Sequence, residues 1–238
     1  MLTTYGCALL LTLASAGKPE GATPPKPVNK PATKSTPKAA ATKDEVTVLV
    51  DLVQRYYEGI KDYTADFIQT YRKIALSQES ESRGTLQLKR PGLVRWAYQK
   101  PVEKLWVVDG KKLYVADPEF EQVFVDPNFR TAEISSSIRF LWGEGKLTDT
   151  FEVKVIDGKS VGAAEGLKAL ELLPKTGANY AKLVLLVIPA TGEVKESVIF
   201  ETAGNTNRFK FLEPKLNTGL KEELFTYTPP AGWEVIYR

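Results

Sequence analysis

The side chains that most often carry out nucleophilic or metal chemistry are nearly missing from this 238-residue chain. It has no histidine, and its one cysteine is Cys7. This composition excludes serine–histidine and cysteine–histidine catalysis and the usual zinc ligands. The carboxylate pair Glu79/Glu81 lies in a polar stretch typical of a solvated loop, and Gly143-Glu144-Gly145-Lys146 lacks the setting of a phosphate-binding loop. The composition does not exclude a metal site made only of carboxylates. We predict a binding protein that is not an enzyme and that holds no metal ion and no cofactor.

One charged residue, Arg90, falls where a β-strand pattern predicts an apolar face. It continues the alternation of Leu86 and Leu88. An arginine that faces apolar surface is costly unless its guanidinium finds acceptors, and the carbonyls of a helix supply them. We consider two interpretations: a latch between the sheet and a lid helix, for which Thr131–Trp142 is the candidate, and an arginine in solvent at the rim.

Two segments at the start of the chain are typical of export rather than of a fold. Residues 1–16 end in Ala14-Ser15-Ala16 after a short apolar run, which predicts a signal peptide. The run is too short to span a bilayer, and Thr4-Tyr5-Gly6 is a poor lipobox before Cys7. Residues 17–43 hold six prolines and six lysines, which predicts a disordered linker.

The positive charge of the chain is concentrated in that linker. The net charge is +3, but because Glu20 alone opposes the six lysines of residues 17–43, the remaining residues 44–238 are slightly acidic. A nucleic-acid-binding domain carries its basic surface on the fold, so nucleic acid is excluded as a partner. We predict a single folded domain over 44–238.

Helical and strand periodicities alternate in a simple order along this domain. Apolar residues recur at helical spacing from Val46 to Ile60, which predicts a helix ending near Gly59. Thr131–Trp142 predicts a second, short helix. The strand-like segments joined by turns predict one antiparallel meander. They are Tyr63–Tyr71, Gly84–Lys89, Val94–Tyr98, Lys104–Val108, Lys112–Ala116, Glu121–Val125, Thr150–Ile156, Ala169–Pro174, Ala181–Ile188, Glu196–Thr202, Asn207–Glu213 and Phe225–Tyr227.

Three stretches of this domain carry recognisable motifs in order. Gly84–Val125 reads GTLQLKRPGLVRWAYQKPVEKLWVVDGKKLYVADPEFEQVFV, Tyr63–Gln69 reads YTADFIQ, and Phe225–Gly232 reads FTYTPPAG. Together they resemble the periplasmic lipoprotein carriers of double-membraned bacteria, the LolA family, over about Val46 to Val235.

The resemblance implies a mainly β (α+β) fold, in which a single antiparallel sheet curls into a half-open β-barrel. An N-terminal helix and a short lid helix would cover an apolar cavity. It also implies a monomeric periplasmic chaperone that carries acylated lipoproteins to the outer membrane. Its partners would be an ATP-driven release complex in the inner membrane and a lipoprotein acceptor in the outer membrane. By position, residues 131–142 would be the lid, and Arg90 would link the sheet to it.

Apolar side chains of the strands and of the lid would then form the acyl-chain site. The candidates are Leu86, Leu88, Val94, Trp96, Leu105, Val107, Leu113, Val115, Val123, Val125, Ile138, Phe140 and Leu141. For each of them, ordinary sheet core is an equal interpretation, and a bulge shifts the alternation.

Two other functions remain open at this point. One is a lipid- or lipoprotein-sensing envelope regulator, and the other is a membrane-tethered lipoprotein receptor of the same fold.

Overall fold

A computed structural model describes residues 43–129 and 146–237 of the chain. One helix precedes twelve strands, and a one-turn helix lies between the sixth and the seventh. The helices are α1 (Lys43–Glu58) and α2 (Leu147–Thr150). The strands are β1 (Asp62–Lys73), β2 (Gln78–Lys89), β3 (Leu93–Lys100), β4 (Lys104–Asp109), β5 (Leu113–Asp117), β6 (Gln122–Asp126), β7 (Phe151–Ile156), β8 (Lys168–Pro174), β9 (Tyr180–Val187), β10 (Val194–Glu201), β11 (Thr206–Leu216) and β12 (Glu234–Tyr237).

All twelve strands belong to one sheet, in the order β12-β6-β5-β4-β3-β2-β1-β11-β10-β9-β8-β7. Neighbouring strands are antiparallel, apart from β12, which runs parallel to β6. The sheet is open, because β12 and β7 lie at its two edges without pairing to each other. The predicted mainly β class with a single sheet is confirmed.

The predicted strand at Phe225–Tyr227 is wrong. Residues Glu222–Phe225 form a 3-10 turn, and the final strand is β12 instead. Pro229 and Pro230 cannot donate the backbone hydrogen bonds that a continuing strand requires. The chain therefore crosses the sheet surface before it pairs with β6.

Several predicted segments lie outside the described residues. They are the signal peptide 1–16, the linker up to residue 42 and the lid segment 131–142. Lys43, which the sequence placed in the linker, begins α1.

The sheet has apolar side chains on both faces, in separate clusters. The concave face carries the main core, to which α1 adds Leu49, Val50, Val53 and Tyr57. The opposite face carries one small cluster over β8–β10 and another over β4–β6. The core therefore lies between the sheet and α1.

Helix α1 approaches the turn between β9 and β10 very closely. Gly192 in this turn has a φ of +84° and lies against the backbone of Leu52 and Val53. The hydroxyl of Tyr57 accepts a 3.2 Å hydrogen bond from the backbone N–H of Val194, two residues further on. Because a helix without a packed face is marginal in water, this contact and the core fix its position.

The carboxylate of Asp62 joins the start of β1 to the chain after β11. Its oxygens accept hydrogen bonds from the backbone N–H (2.7 Å) and hydroxyl (3.0 Å) of Thr218 and from the N–H of Gly219 (3.0 Å). Burial alone would raise the pKa of this carboxyl, but these bonds, with one from Leu220, outweigh it and lower the pKa below its usual value.

We expect Asp62→Asn to lower the free energy of unfolding by about 1–3 kcal/mol at pH 7, because an amide N–H₂ would face backbone donors. A carboxyl whose pKa is lower in the folded state stabilises the fold above its unfolded value, near pH 4. The contribution is lost as the pH falls through the folded value. Urea unfolding at pH 7 and pH 3 should show a difference between wild type and variant that shrinks in acid. Asp51→Asn, at an exposed position of α1, is the control and should behave as wild type at both pH values.

Candidate functional site

The concave face of β1–β6 is an apolar and aromatic wall. One row of facing residues crosses it, in which each residue is the cross-strand partner of the next: Leu86, Trp96, Trp106, Val115 and Phe124. The first three are at most 5% exposed, and Phe124 is 45% exposed. The row thus runs from the core to an accessible aromatic ring near the β12 edge.

Aromatic rings fill the centre of this wall. Phe67 lies edge-on to Trp96 and Tyr98, with ring centroids 5.6 and 5.1 Å away, and Phe209 lies 5.3 Å from Trp96. Such edge-on pairs stabilise a core beyond their buried area and hold the rings in fixed orientations. The centre of the wall is therefore rigid.

Six of the predicted acyl-chain residues do share the concave face. Leu86, Leu88, Val94, Trp96 and Leu113 are buried in the main core, and Val115 packs against it. Binding of an acyl chain by these residues stays a prediction.

Four others lie on the opposite face, so the predicted common face is wrong for them. Leu105, Val123 and Val125 belong to the separate cluster over β4–β6. Val107 alternates with Trp106 and is the partner of Tyr114, which packs on that same cluster. Ile138, Phe140 and Leu141 lie outside the described residues.

The cause of this error is that β4–β6 are covered on both sides. Tyr227 and Trp233, from the chain before β12, pack over the outer cluster, and the ring of Tyr227 lies 5.7 Å from that of Tyr114. Both faces are consequently apolar, and alternation alone cannot tell them apart.

Several residues of the concave wall were not predicted from the sequence. They are Trp106, Val108 and Phe124 on β4 and β6, and the residues of β7–β11, which form the far half of the wall. The hairpin turn at Asp109-Gly110 held the missing signal. The observed two-residue loop is Gly110-Lys111, so Asp109 bonds to Lys112 and Val108 is the partner of Leu113; partners share a face. The far half, on β7–β11, comprises Phe151, Val153, Val155, Leu170, Leu172, Tyr180, Leu183, Leu185, Val187, Val194, Ile199, Phe209, Phe211 and Leu216.

Arg90 holds the end of α1. Its Nη1 and Nη2 groups donate to the carbonyls of Glu58 (2.9 Å) and Tyr57 (2.5 Å). The last carbonyls of a helix have no partner within it and carry partial negative charge, so a guanidinium is well placed there. Arg90 is thus bound to the end of a helix and is not an arginine in solvent at the rim. The predicted contact with the lid lies outside the described residues.

The phenols near α1 remain neutral over the physiological range. Burial raises the pKa of Tyr57 and of Tyr63, and the nearby Glu193 adds to both shifts. Among the described residues, no cluster of side chains could hold a metal ion, and no helix is long and apolar enough to cross a membrane. The site therefore offers a neutral apolar wall rather than reactive groups.

Residues 58–228 of the chain match the protein family described as "Outer membrane lipoprotein carrier protein LolA". Two curated relatives are each named outer-membrane lipoprotein carrier protein. That of Dechloromonas aromatica is 30% identical over 187 residues, which covers 79% of this chain and 86% of the relative. That of Nitrosospira multiformis is 29% identical over 184 residues, with 77% and 86% coverage.

The fold is similar to that of a crystal structure of a LolA superfamily protein from Nitrosomonas europaea. The TM-score is 0.41 at 11% identity, and the alignment covers 76% of this chain and 97% of the other.

Proposed function

Since this chain belongs to the LolA family of outer-membrane lipoprotein carrier proteins, we propose that it is a periplasmic chaperone for lipoproteins. It binds their acyl chains on the concave wall and carries them from the inner to the outer membrane. The observation that carries this proposal is the match over residues 58–228, which includes most of the wall. The reaction is binding and release, without covalent catalysis.

The energetics of acyl chains explain why such a carrier needs partners. Each methylene moved out of water contributes about 0.8 kcal/mol, so a chain of about fifteen carbons contributes about 12 kcal/mol. A bilayer offers the same stabilisation, and the transfer from membrane to wall is close to neutral. We propose that an ATP-driven complex in the inner membrane drives loading and that an acceptor in the outer membrane receives the cargo.

Arg90 is proposed as the latch of the empty form. Its two hydrogen bonds hold the end of α1 beside the sheet. An acyl chain that enters between α1 and the wall must move the helix and break them. These bonds therefore favour the empty state over the loaded one, which keeps binding loose enough for release.

We expect Arg90→Leu to retain cargo. Loss of two charge-assisted hydrogen bonds from the empty form, about 1–3 kcal/mol, would tighten binding by roughly 5- to 150-fold. The measurement is the rate at which a purified complex gives its lipoprotein to outer-membrane vesicles. Arg95→Leu is the matched control, because Arg95 also donates to a backbone carbonyl, that of Leu224 at 3.4 Å, outside the wall. Normal unloading by Arg90→Leu would contradict the latch.

The carrier function itself is tested by release of lipoproteins from spheroplasts. The purified protein is added, and the soluble fraction is examined for a one-to-one complex with acylated protein. As a control for the wall, Leu86→Asp should fail to release cargo. If competent spheroplasts release nothing to the wild-type protein, the carrier function is rejected, and a sensor or a tethered receptor becomes the better explanation.

A further inference from the structure

Six side-chain polar atoms are buried without a hydrogen-bond partner in the described part of the chain, and two of them are Nε of Arg90 and Oδ1 of Asp117. The other four are hydrogen-bond donors on strands of the concave wall. They are the indole N–H groups of Trp96 and Trp106, the hydroxyl of Tyr63 and the side-chain N–H₂ of Asn207. All four side chains are at most 5% exposed. A wall that bound only hydrocarbon would have no use for donors, and an unpaired buried donor is destabilising. Their concentration on one face requires an explanation.

Trp96 and Trp106 form the centre of this set. They face each other on β3 and β4, and the β-carbons of such a pair lie about 5 Å apart. An indole N–H donates and cannot accept. A ligand group that binds to both must therefore be a hydrogen-bond acceptor.

Tyr63 extends this set on β1. Asn207, on β11, lies apart from it, because its partner is Tyr71, eight positions along β1 from Tyr63. Tyr63 is the partner of Leu88, and Leu88 of Val94, so the phenol lies on the next row of the wall. At Asn207 the side-chain oxygen already accepts a 2.9 Å hydrogen bond from Gln69, which leaves the amide hydrogens as the unused part. In each case a donor is available.

The acyl chains of a lipid anchor carry such acceptors only where they are attached. Ester and amide carbonyl oxygens accept hydrogen bonds, whereas the hydrocarbon beyond them offers none. Resting on the proposed carrier function, we propose that Trp96 and Trp106 donate their indole N–H groups to the carbonyl oxygens at the head of the cargo's acyl chains. Tyr63, on the next row of the wall, supplies a further donor. The wall then selects acyl chains over alkyl chains of the same length.

The hydrocarbon and the carbonyl groups of the anchor then make two different kinds of contact with the wall. The hydrocarbon supplies affinity that a bilayer matches. Its contacts are not directional, so they give no preference for one position on the wall. The carbonyl hydrogen bonds fix where the head of the anchor lies, because they are directional and confined to a few strand positions.

The test compares two synthetic lipopeptides that differ only in linkage. One has two ester-linked palmitoyl chains, and the other has hexadecyl chains joined by ethers, so the chain length is the same and a methylene replaces each ester carbonyl. Binding to the purified protein is measured by displacement of a fluorescent fatty-acyl probe. We expect the wild-type protein to bind the ester about tenfold more tightly than the ether.

Substitutions then locate the donors. Trp106→Phe removes the indole N–H and should reduce the ester-to-ether ratio to about two or less. If Trp106→Phe does not fold, Tyr63→Phe is the second variant. It removes only a hydroxyl, keeps the core filled, and should also lower the ratio. Tyr71→Phe is the matched control, because its hydroxyl already donates to Glu201 at 3.1 Å, and the ratio should not change.

Each outcome has one meaning. Equal binding of both lipopeptides by the wild-type protein, or a tenfold preference that survives both Trp106→Phe and Tyr63→Phe, would overturn the inference and leave the carrier function standing. Failure of the wild-type protein to bind either lipopeptide would reject the carrier function itself. A lowered ratio in these variants, with Tyr71→Phe unchanged, supports the assignment.

Discussion

Gly192→Ala is expected to loosen α1 from the sheet and to lower the free energy of unfolding by about 3–5 kcal/mol. A side chain at this φ of +84° is strained, and its β-carbon would collide with the backbone of Leu52 and lie 2.7 Å from the N atom of Val53. Neither the turn nor the helix can move without disturbing the hydrogen bond between Tyr57 and Val194. Thermal unfolding should show a decrease of roughly 10 °C.

The control for Gly192→Ala separates strain from collision. Gly204 occupies another turn at nearly the same φ, +86°, with no atom near the position of a β-carbon. Gly204→Ala should therefore cost about 1 kcal/mol. If both variants lose the same stability, close packing of the helix on the turn is not the reason that position 192 is glycine.

Gly84→Ala should have the second largest effect, because it disrupts the aromatic centre of the wall. Gly84 lies between its strand partners Phe67 and Tyr98, whose rings meet across it. A β-carbon would overlap the carbonyl of Ala97 and lie 2.9 Å from the ring of Phe67. We expect a loss of about 3 kcal/mol and a weaker near-ultraviolet circular dichroism signal from these rings.

Gly59→Ala tests whether the loss at Gly84 is specific. Gly59 follows α1 at a φ that alanine tolerates, with open space around its β-carbon position. Its replacement should change stability by no more than about 0.5 kcal/mol. An intact aromatic signal and normal stability in Gly84→Ala would show that β2 and β3 can separate there without cost.

The sequence allowed α1 and most of the strands to be predicted because their patterns are local. The apolar residues from Val46 to Ile60 repeat with the period of a helix, and the observed helix covers Lys43–Glu58. Strands in which one face is buried and the other is more exposed, such as β2 and β3, alternate clearly. Their concave residues were assigned correctly for that reason.

The errors fall where long-range contacts decide the outcome. On β4 and β6 both faces are apolar because the chain around Tyr227 and Trp233 returns to cover the outer one. The parallel pairing of β12 with β6 cannot follow from a meander in which each strand pairs with the next. Arg90 was expected to bind carbonyls of the lid helix, which lies outside the described residues, and the carbonyls that it binds in the described structure belong to α1. Only the tertiary fold shows which helix end lies beside that residue.

The pairing of β12 with β6 also bears on self-association. Without β12, the hydrogen-bonding groups along β6 would form an open edge, next to the apolar Val123 and Val125 of the outer face. Exposed edges of this kind recruit strands of other molecules and lead to aggregates. The final strand is only four residues long and begins with Glu234, whose carboxylate accepts a 2.7 Å hydrogen bond from Gln122. A four-residue strand at this end of the sheet gives an incoming strand little to pair with, which limits growth of the open sheet from the β12 edge.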